Sequence, residues 1–344
     1  MHNIRRYVFK LFKYLIYNKR VASLHKIVIY IFGEKRCYSI FSLIEASALL
    51  PISTKQVKGK NIIYMMFDGR IDQAGLADNL RAIASVYYLC KQKSLDLKVI
   101  FNYPFCLNKF LIPNQFNWEL NPDDNSYLSE DAKDIAALSY RNIFKDSNIA
   151  LQRSYLEDLL VNIKKPVRLY TNTYCHDDFF EQSYHELFKP SPLLSKLIVS
   201  QTQMINGKYI SASFRFTNLL GDIDDNFGKE LSQKEKEDLM EQCSNSIVRL
   251  HSLCPDYKIL VTSDSSSYLN YITQLYDYTY VVPGEIGHVG HNGDDAIVVK
   301  TFLDLYMISQ AESVYMIRTP IMYKSGFAKR AAMIGGKPFN EILI

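Results

Sequence analysis

Residues 208–225, KYISASFRFTNLLGDIDD, carry an apolar run to Arg215 and place Gly221, Asp222, Asp224 and Asp225 just beyond it. A guanidinium at a strand tip offers a planar fork that matches two phosphate oxygens. The acids that follow could accept a proton, orient the arginine or solvate a turn; an ion pair from Arg215 to Asp222 or Asp224 is the plain structural alternative. A second stretch, LVTSDSSSY at 260–268, ends in Thr262, Ser263 and Asp264. Its acid could accept from a ribose or a base, or Asp264 or Ser265 could cap the next helix. A third, MIRTPIMYKSGFAKRAA at 316–332, sets Ser325, Gly326 and Phe327 at the start of a helix whose free amides suit a phosphate or need only an N-cap. Nearer the start, AGLADNLRAIAS puts Gly75 in a loop and Asp78, Asn79 and Arg81 on the first turns of a helix, matching neither GxGxxG nor a Walker loop. His288 and His291 lie three apart among glycines without a third ligand at suitable spacing, so no metal is expected.

The elements that would position these residues alternate. NIIYMMF reads as a buried strand, followed by a helix with Leu80, Ile83, Ala84 and Tyr87 on one face and by the strand LKVIF, a unit that builds parallel sheets. Helical stretches are expected near 131–145 and 150–163, and VRLYTNTY is expected to be a strand. FKPSPLLSK at 188–196, with two prolines, is the expected crossing between domains. Beyond it YISASFRF, YKILVTS, YTYVV and SVYMI alternate with helices from about 232 (Ser232 and Glu235 at capping-box spacing), from about Ser266, over DAIVVKTFLDLYMISQA and over GFAKRAAMIG. The pattern predicts an α/β protein of two Rossmann-like domains facing each other: a helical arm at 1–57, an N-terminal domain at 58–192 and a C-terminal domain at 193–344. Ligands of such sheets sit at the C-terminal ends of strands.

The 344 residues are 48% apolar with a net charge of +4, which argues against a general nucleic-acid binder. Residues 1–36 nevertheless hold nine Lys or Arg against one acid, Glu34. Ile4, Val8, Leu11, Leu15 and Ile16 recur there at helical spacing, as in a basic amphipathic helix. Such an arm could lie on an anionic membrane surface or pack on the body of the protein with its lysines solvated. No apolar run reaches spanning length and no secretory leader is evident, so a cytoplasmic protein is expected, peripheral on the inner face of the membrane if the arm binds lipid. The six cysteines lack CxxC pairing and are expected as buried free thiols.

The order of these pieces resembles the GT-B fucosyltransferase-like superfamily, which includes α1,6-fucosyltransferases, nodulation-factor fucosyltransferases and protein O-fucosyltransferases. The order is a GLADNLRAI helix after the first strand, a strand ending in Arg215 with Gly-Asp nearby, a VTSD strand tip, and DLYMISQAESVYMI leading to SGFAKRAA. The motifs cover roughly 61–102 and 208–339, and bacterial enzymes of surface-polysaccharide synthesis look most similar.

The resemblance implies a GT-B fold and inverting, metal-independent transfer from a nucleotide-sugar donor, GDP-fucose above all, to a glycan acceptor that could be lipid-linked. Arg215 would grip the donor diphosphate, Asp264 would contact guanine, Ser325 with Gly326 and Phe327 would form the phosphate loop, and Gly75, Asn79 and Arg81 would line the first domain's side of the cleft. The general base would be one of Asp222, Asp224 and Asp225. Ser213 stands where the superfamily has the histidine of His-x-Arg, which leaves another donor open. A non-catalytic glycan-binding protein of the same fold is a further alternative.

Overall fold

The computed structural model describes residues 22–47, 61–71, 75–129, 131–139, 144, 148–161, 163–172, 177–223, 228–287 and 294–344. Contacts divide the chain into two units. One comprises the described residues within Met1–Ala74, Asp78–Tyr103 and Pro113–Leu187; the other comprises those within Gly75–Ala77, Pro104–Ile112 and Phe188–Ile344.

The first unit is built around strand β1 (Ile62–Phe67), six apolar side chains all buried, as a strand covered on both faces of a parallel sheet requires. Helix α3 (Leu76–Lys93) leads from it to β2 (Asp96–Phe101), whose alternating burial marks the edge of the sheet. With β4 (Lys133–Ala137) and β5 (Val167–Thr171) these strands form a parallel sheet in the order β2-β1-β5-β4. Asp134 and Arg168 stand opposite each other in the β4–β5 register. The Arg168 guanidinium donates to Asp134 at 2.6 and 2.9 Å and to the carbonyls of Tyr127, Ser129 and Ala132 at 3.1 Å each, which satisfies all its donors in a fully buried position. Helices α1 (Ala22–Phe32) and α2 (Glu34–Ser47) meet at Gly33, whose φ of +78° ends the first so that the second can begin. Cys37 and Tyr38 of α2 join a cluster with Ile62, Tyr64, Phe144 and Tyr170, and the Tyr38 hydroxyl donates to the Leu138 carbonyl at 2.8 Å. Helices α4 (Asn148–Leu160) and α5 (Asp177–Leu187) complete the unit.

The second unit is a five-stranded parallel sheet in the order β11-β10-β7-β8-β9. Its strands are β7 (Tyr209–Phe214), β8 (Lys258–Ser263), β9 (Thr279–Tyr280), β10 (Val314–Arg318) and β11 (Phe339–Leu343). Alternate residues of β7 divide between its faces. Ile210, Ala212 and Phe214 pack with Ile247 and Leu250 of helix α7 (Gln233–Leu253) and with Tyr268 and Ile272 of α8 (Ser266–Leu275). On the opposite face the Tyr209 hydroxyl reaches the Met307 carbonyl of α9 (Asp295–Gln310) at 2.8 Å. Helix α10 (Phe327–Ile334) ends at Gly335, where a Cβ would fall 1.8 Å from the Ser309 carbonyl oxygen, so nothing larger fits. Phe105 and Phe110 pack on Phe302 of α9, the Phe110 ring stacked at 4.9 Å between centroids.

Several sequence expectations need correcting. Residues 133–137 form β4 and not part of a helix: the alanines of KDIAA favour a helix locally, but burial beside β5 and the Asp134–Arg168 pair decide for a strand. FKPSPLLSK, the expected crossing between domains, starts where the second unit resumes at Phe188 and carries regular structure of its own. Phe188–Pro190 is strand β6, paired with β3 (Leu111–Pro113), and Ser191 then caps helix α6 (Pro192–Ile205), accepting from the Leu194 amide at 3.2 Å with Pro192 in the first turn. The C-terminal sheet has five strands, not four, because FNEIL of β11 pairs with β10 despite its polar residues. YTYVV shortens to a two-residue bridge. Of the cysteines, Cys37, Cys90 and Cys243 are buried free thiols, Cys106 and Cys254 are only partly buried, and Cys175 lies outside the described residues. The amphipathic segment from Ile4 to Ile16, together with His288 and His291, also lies outside them.

Candidate functional site

The C-terminal edge of the second sheet gathers most of the chemistry. β7 ends at Phe214 and β8 at Ser263, which are register partners, so Arg215 and Asp264 leave the sheet side by side. Arg215 Nη1 lies 3.2 Å from Asp264 Oδ2, with the arginine side chain 22% exposed and the aspartate 4%. Asp264 also accepts from the backbone amides of Phe216 at 2.8 Å and Thr217 at 2.7 Å, one on each oxygen. Thr217 has φ of +54°, a left-handed conformation that a β-branched residue adopts only when held there. Asp264 is thus the fixed point about which the loop after β7 folds back, and Arg215 is aimed by it. Burial pushes the Asp264 carboxyl above the ordinary range, while the Arg215 guanidinium and the two amides pull against that rise.

Ser213, one turnover of the pleat earlier, hydrogen-bonds Thr262 across the β7–β8 ladder at 2.7 Å between hydroxyl oxygens. Gly221 closes the next loop with φ of +81°, where a side chain would meet the Glu230 carboxylate. Asp222 then turns toward the N-terminus of α8. It accepts from the hydroxyls of Ser265, Ser266 (3.0 Å) and Ser267 (2.7 Å) and from the Ser267 amide at 3.3 Å. Partial burial pushes this carboxyl up, but the hydroxyls of Ser265, Ser267 and Ser266 outweigh that effect and leave it below the ordinary carboxylate range. A carboxylate so engaged is a weak proton acceptor. Ser265 serves as N-cap of α8, accepting from the Tyr268 amide at 3.0 Å. Asp224 and Asp225 lie outside the described residues.

β10 flanks β7 on the other side, and the chain from its tip reaches Ser325, whose hydroxyl accepts from the Phe327 amide at 3.2 Å. Gly326 is the N-cap, exposed, and offers α10 no side-chain cap. A Cβ there would meet nothing within 4 Å, so the loop leaves room for a ligand at the helix amides. The structure therefore brings Arg215, Asp264 and Ser213 together, with Ser325, Gly326 and Phe327 following the adjacent strand. Asn79 and Arg81 belong to α3, where Asn79 is buried and Arg81 donates to Asp78 within the first turns; Gly75 precedes the helix and groups with the second unit, not with the first domain as expected. Thr217 was not visible as a site residue in the sequence, since nothing in TNLL signals a left-handed threonine. No group of three or more metal-ligating side chains occurs among the described residues.

This arrangement is a GT-B type of α/β fold, with doubly wound units and cationic and amide donors at the carboxyl edge of a parallel sheet. Solved structures that share it include fucosyltransferases. NodZ from Bradyrhizobium, an α1,6-fucosyltransferase, aligns with a TM-score of 0.52 in its complex with GDP, at 13% identity over 79% of this chain and 92% of its own. A mutant of Arabidopsis thaliana FUT1 in complex with GDP aligns at 0.52, 12% identity, over 92% of this chain and 77% of its own. POFUT1 in complex with GDP aligns at 0.50 and 10% identity over 85% of this chain and 99% of its own. No protein-family model matches the chain, and no curated protein matches it by sequence.

Proposed function

We propose that this protein is a glycosyltransferase that moves fucose from GDP-fucose to a glycan hydroxyl, with inversion and without a metal, in the synthesis of a bacterial surface polysaccharide. The observation that carries the reading is the Arg215–Asp264 pair at the tips of β7 and β8, on a fold whose solved examples include complexes with GDP and GDP-fucose. In this reading Arg215 neutralises the charge that develops on the departing diphosphate, helped by Ser325 and the amide end of α10. Asp264 positions Arg215 and the left-handed loop; its oxygens are committed to that task and not to the base. Asp222 fastens the same loop to α8. The proton of the acceptor hydroxyl then falls to another carboxylate within hydrogen-bond reach, with Asp224 and Asp225 the sequence candidates. Ser213 in the place of a histidine favours a second reading, the same chemistry with a different nucleotide.

Thermal unfolding with GDP, UDP, CDP and ADP, each with and without magnesium, separates these readings. A GDP shift of roughly 5–10 °C at a hundredfold excess over Kd, indifferent to magnesium, is expected. A shift with another nucleotide alone moves the donor, and none with any removes the enzymatic reading.

Asp264→Asn distinguishes positioning from base recognition. If Asp264 aims Arg215, the variant binds GDP about tenfold or more weakly, on the scale of a lost charge-assisted bond, and binds GMP as the wild type does. Equal losses for GDP, GMP and guanosine, measured by calorimetry, would return Asp264 to the base.

A further inference from the structure

Helices α1 and α2 present an outer face that the rest of the described chain does not cover. Ile27, Tyr30 and Ile31 follow one another at helical spacing, with Tyr30 92% and Ile31 63% exposed, and Phe32 is exposed beside them. On α2, Arg36, Ile40 and Leu43 repeat at the same period and are likewise exposed. The opposite faces are accounted for, since Val28 and Ile29 of α1 and Cys37, Tyr38 and Phe41 of α2 pack into the first unit. Single exposed apolar residues are ordinary, but a run of them on two consecutive helices marks a contact surface.

We propose that this face docks on an anionic lipid surface. Charge selects the occupant. Lys26 and Arg36 border the apolar residues, Lys35 beside Glu34 is paired with Asp158 at 2.9 Å, and the 21 residues that precede α1 contain six Lys or Arg and no acid. A second copy of the chain would bring two such basic faces together, whereas an anionic leaflet attracts them, each basic side chain near the surface being worth about fivefold in binding. No helix among the described residues is long and apolar enough to cross a membrane. An eleven-residue helix with aliphatic and aromatic side chains outward suits the headgroup region, lying in the plane of the leaflet. The proposal is independent of the catalytic reading, because its readout is binding to lipid.

The test uses the whole protein with phosphatidylcholine vesicles made with and without phosphatidylglycerol. Sedimentation is expected only with the anionic lipid, and salt is expected to weaken it. Trp118 is the chain's one tryptophan and is buried, so Tyr30→Trp supplies a reporter whose fluorescence brominated lipids should quench. The exposed double variant Tyr30→Ser, Ile31→Ser is expected to bind at least about tenfold more weakly while keeping the wild-type melting temperature. Sedimentation without quenching would assign binding to the basic segment alone and overturn the role of this face. Absence of sedimentation, or a dimer dissolved by the same double variant, would overturn it as well.

Discussion

Arg215→Ala is expected to lower transfer from GDP-fucose by at least about 10²–10³-fold, the usual effect of deleting one preorganised donor to a leaving group's charge. Arg215→Lys is expected to recover only part of this, because an ammonium keeps the charge and loses the planar fork. The check is product formation with each variant, beside GDP binding; near-normal turnover by Arg215→Ala would reject the mechanism. The alanine variant has a second signature. It leaves Asp264 buried on two amides without its cation, so its carboxyl, already above the ordinary range, rises further. A carboxyl whose folded-state pKa is raised favours folding when protonated, and that contribution is lost as pH increases. The variant's stability deficit relative to the wild type is therefore expected to be larger at neutral pH than in mild acid.

Arg168→Met is expected to destabilise the first unit by about 3–5 kcal/mol, because it strips the partly buried Asp134 carboxylate of the Arg168 cation and takes a donor from the carbonyls of Tyr127, Ser129 and Ala132, of which Ser129 keeps the Ala132 amide. Trp118 belongs to that unit, so urea unfolding followed by its fluorescence reports on the right half of the protein. Adding Asp134→Leu should restore part of the loss, since an apolar pair avoids the unpaired charge. A shift below about 1 kcal/mol for Arg168→Met would show that the carbonyls find other partners.

The sequence made the parallel strands and the positions of their tips legible, because buried parallel strands are nearly pure apolar runs. IIYMMF, YISASF and KILVTS stand out from their surroundings, and Arg215, Asp264 and Ser325 follow from where such runs stop. What stayed hidden depends on partners remote in the chain. KDIAA becomes a strand through Arg168, and FNEIL joins a sheet through β10, neither by local preference. At the site the residue types were readable and their allegiance was not. Asp222 was readable as a carboxylate near the strand-tip Arg215, yet three serines more than forty residues later draw it away. Asp264 was readable as a strand-tip acid, yet its amide partners depend on the register of β7 and β8.

The middle of the second sheet also has a temporal meaning. β7 pairs with β8 on one side and with β10 on the other, Ser211 opposite Val314, so its two neighbours are made far apart during synthesis. At about 5–20 residues per second, the roughly one hundred residues from the end of β7 to the start of β10 leave that side of β7 without its partner for some 5–20 seconds. During that interval a largely apolar strand that leads into Arg215 presents an open ladder of amides and carbonyls. The nascent chain, more than the finished protein, is then the form most exposed to self-association.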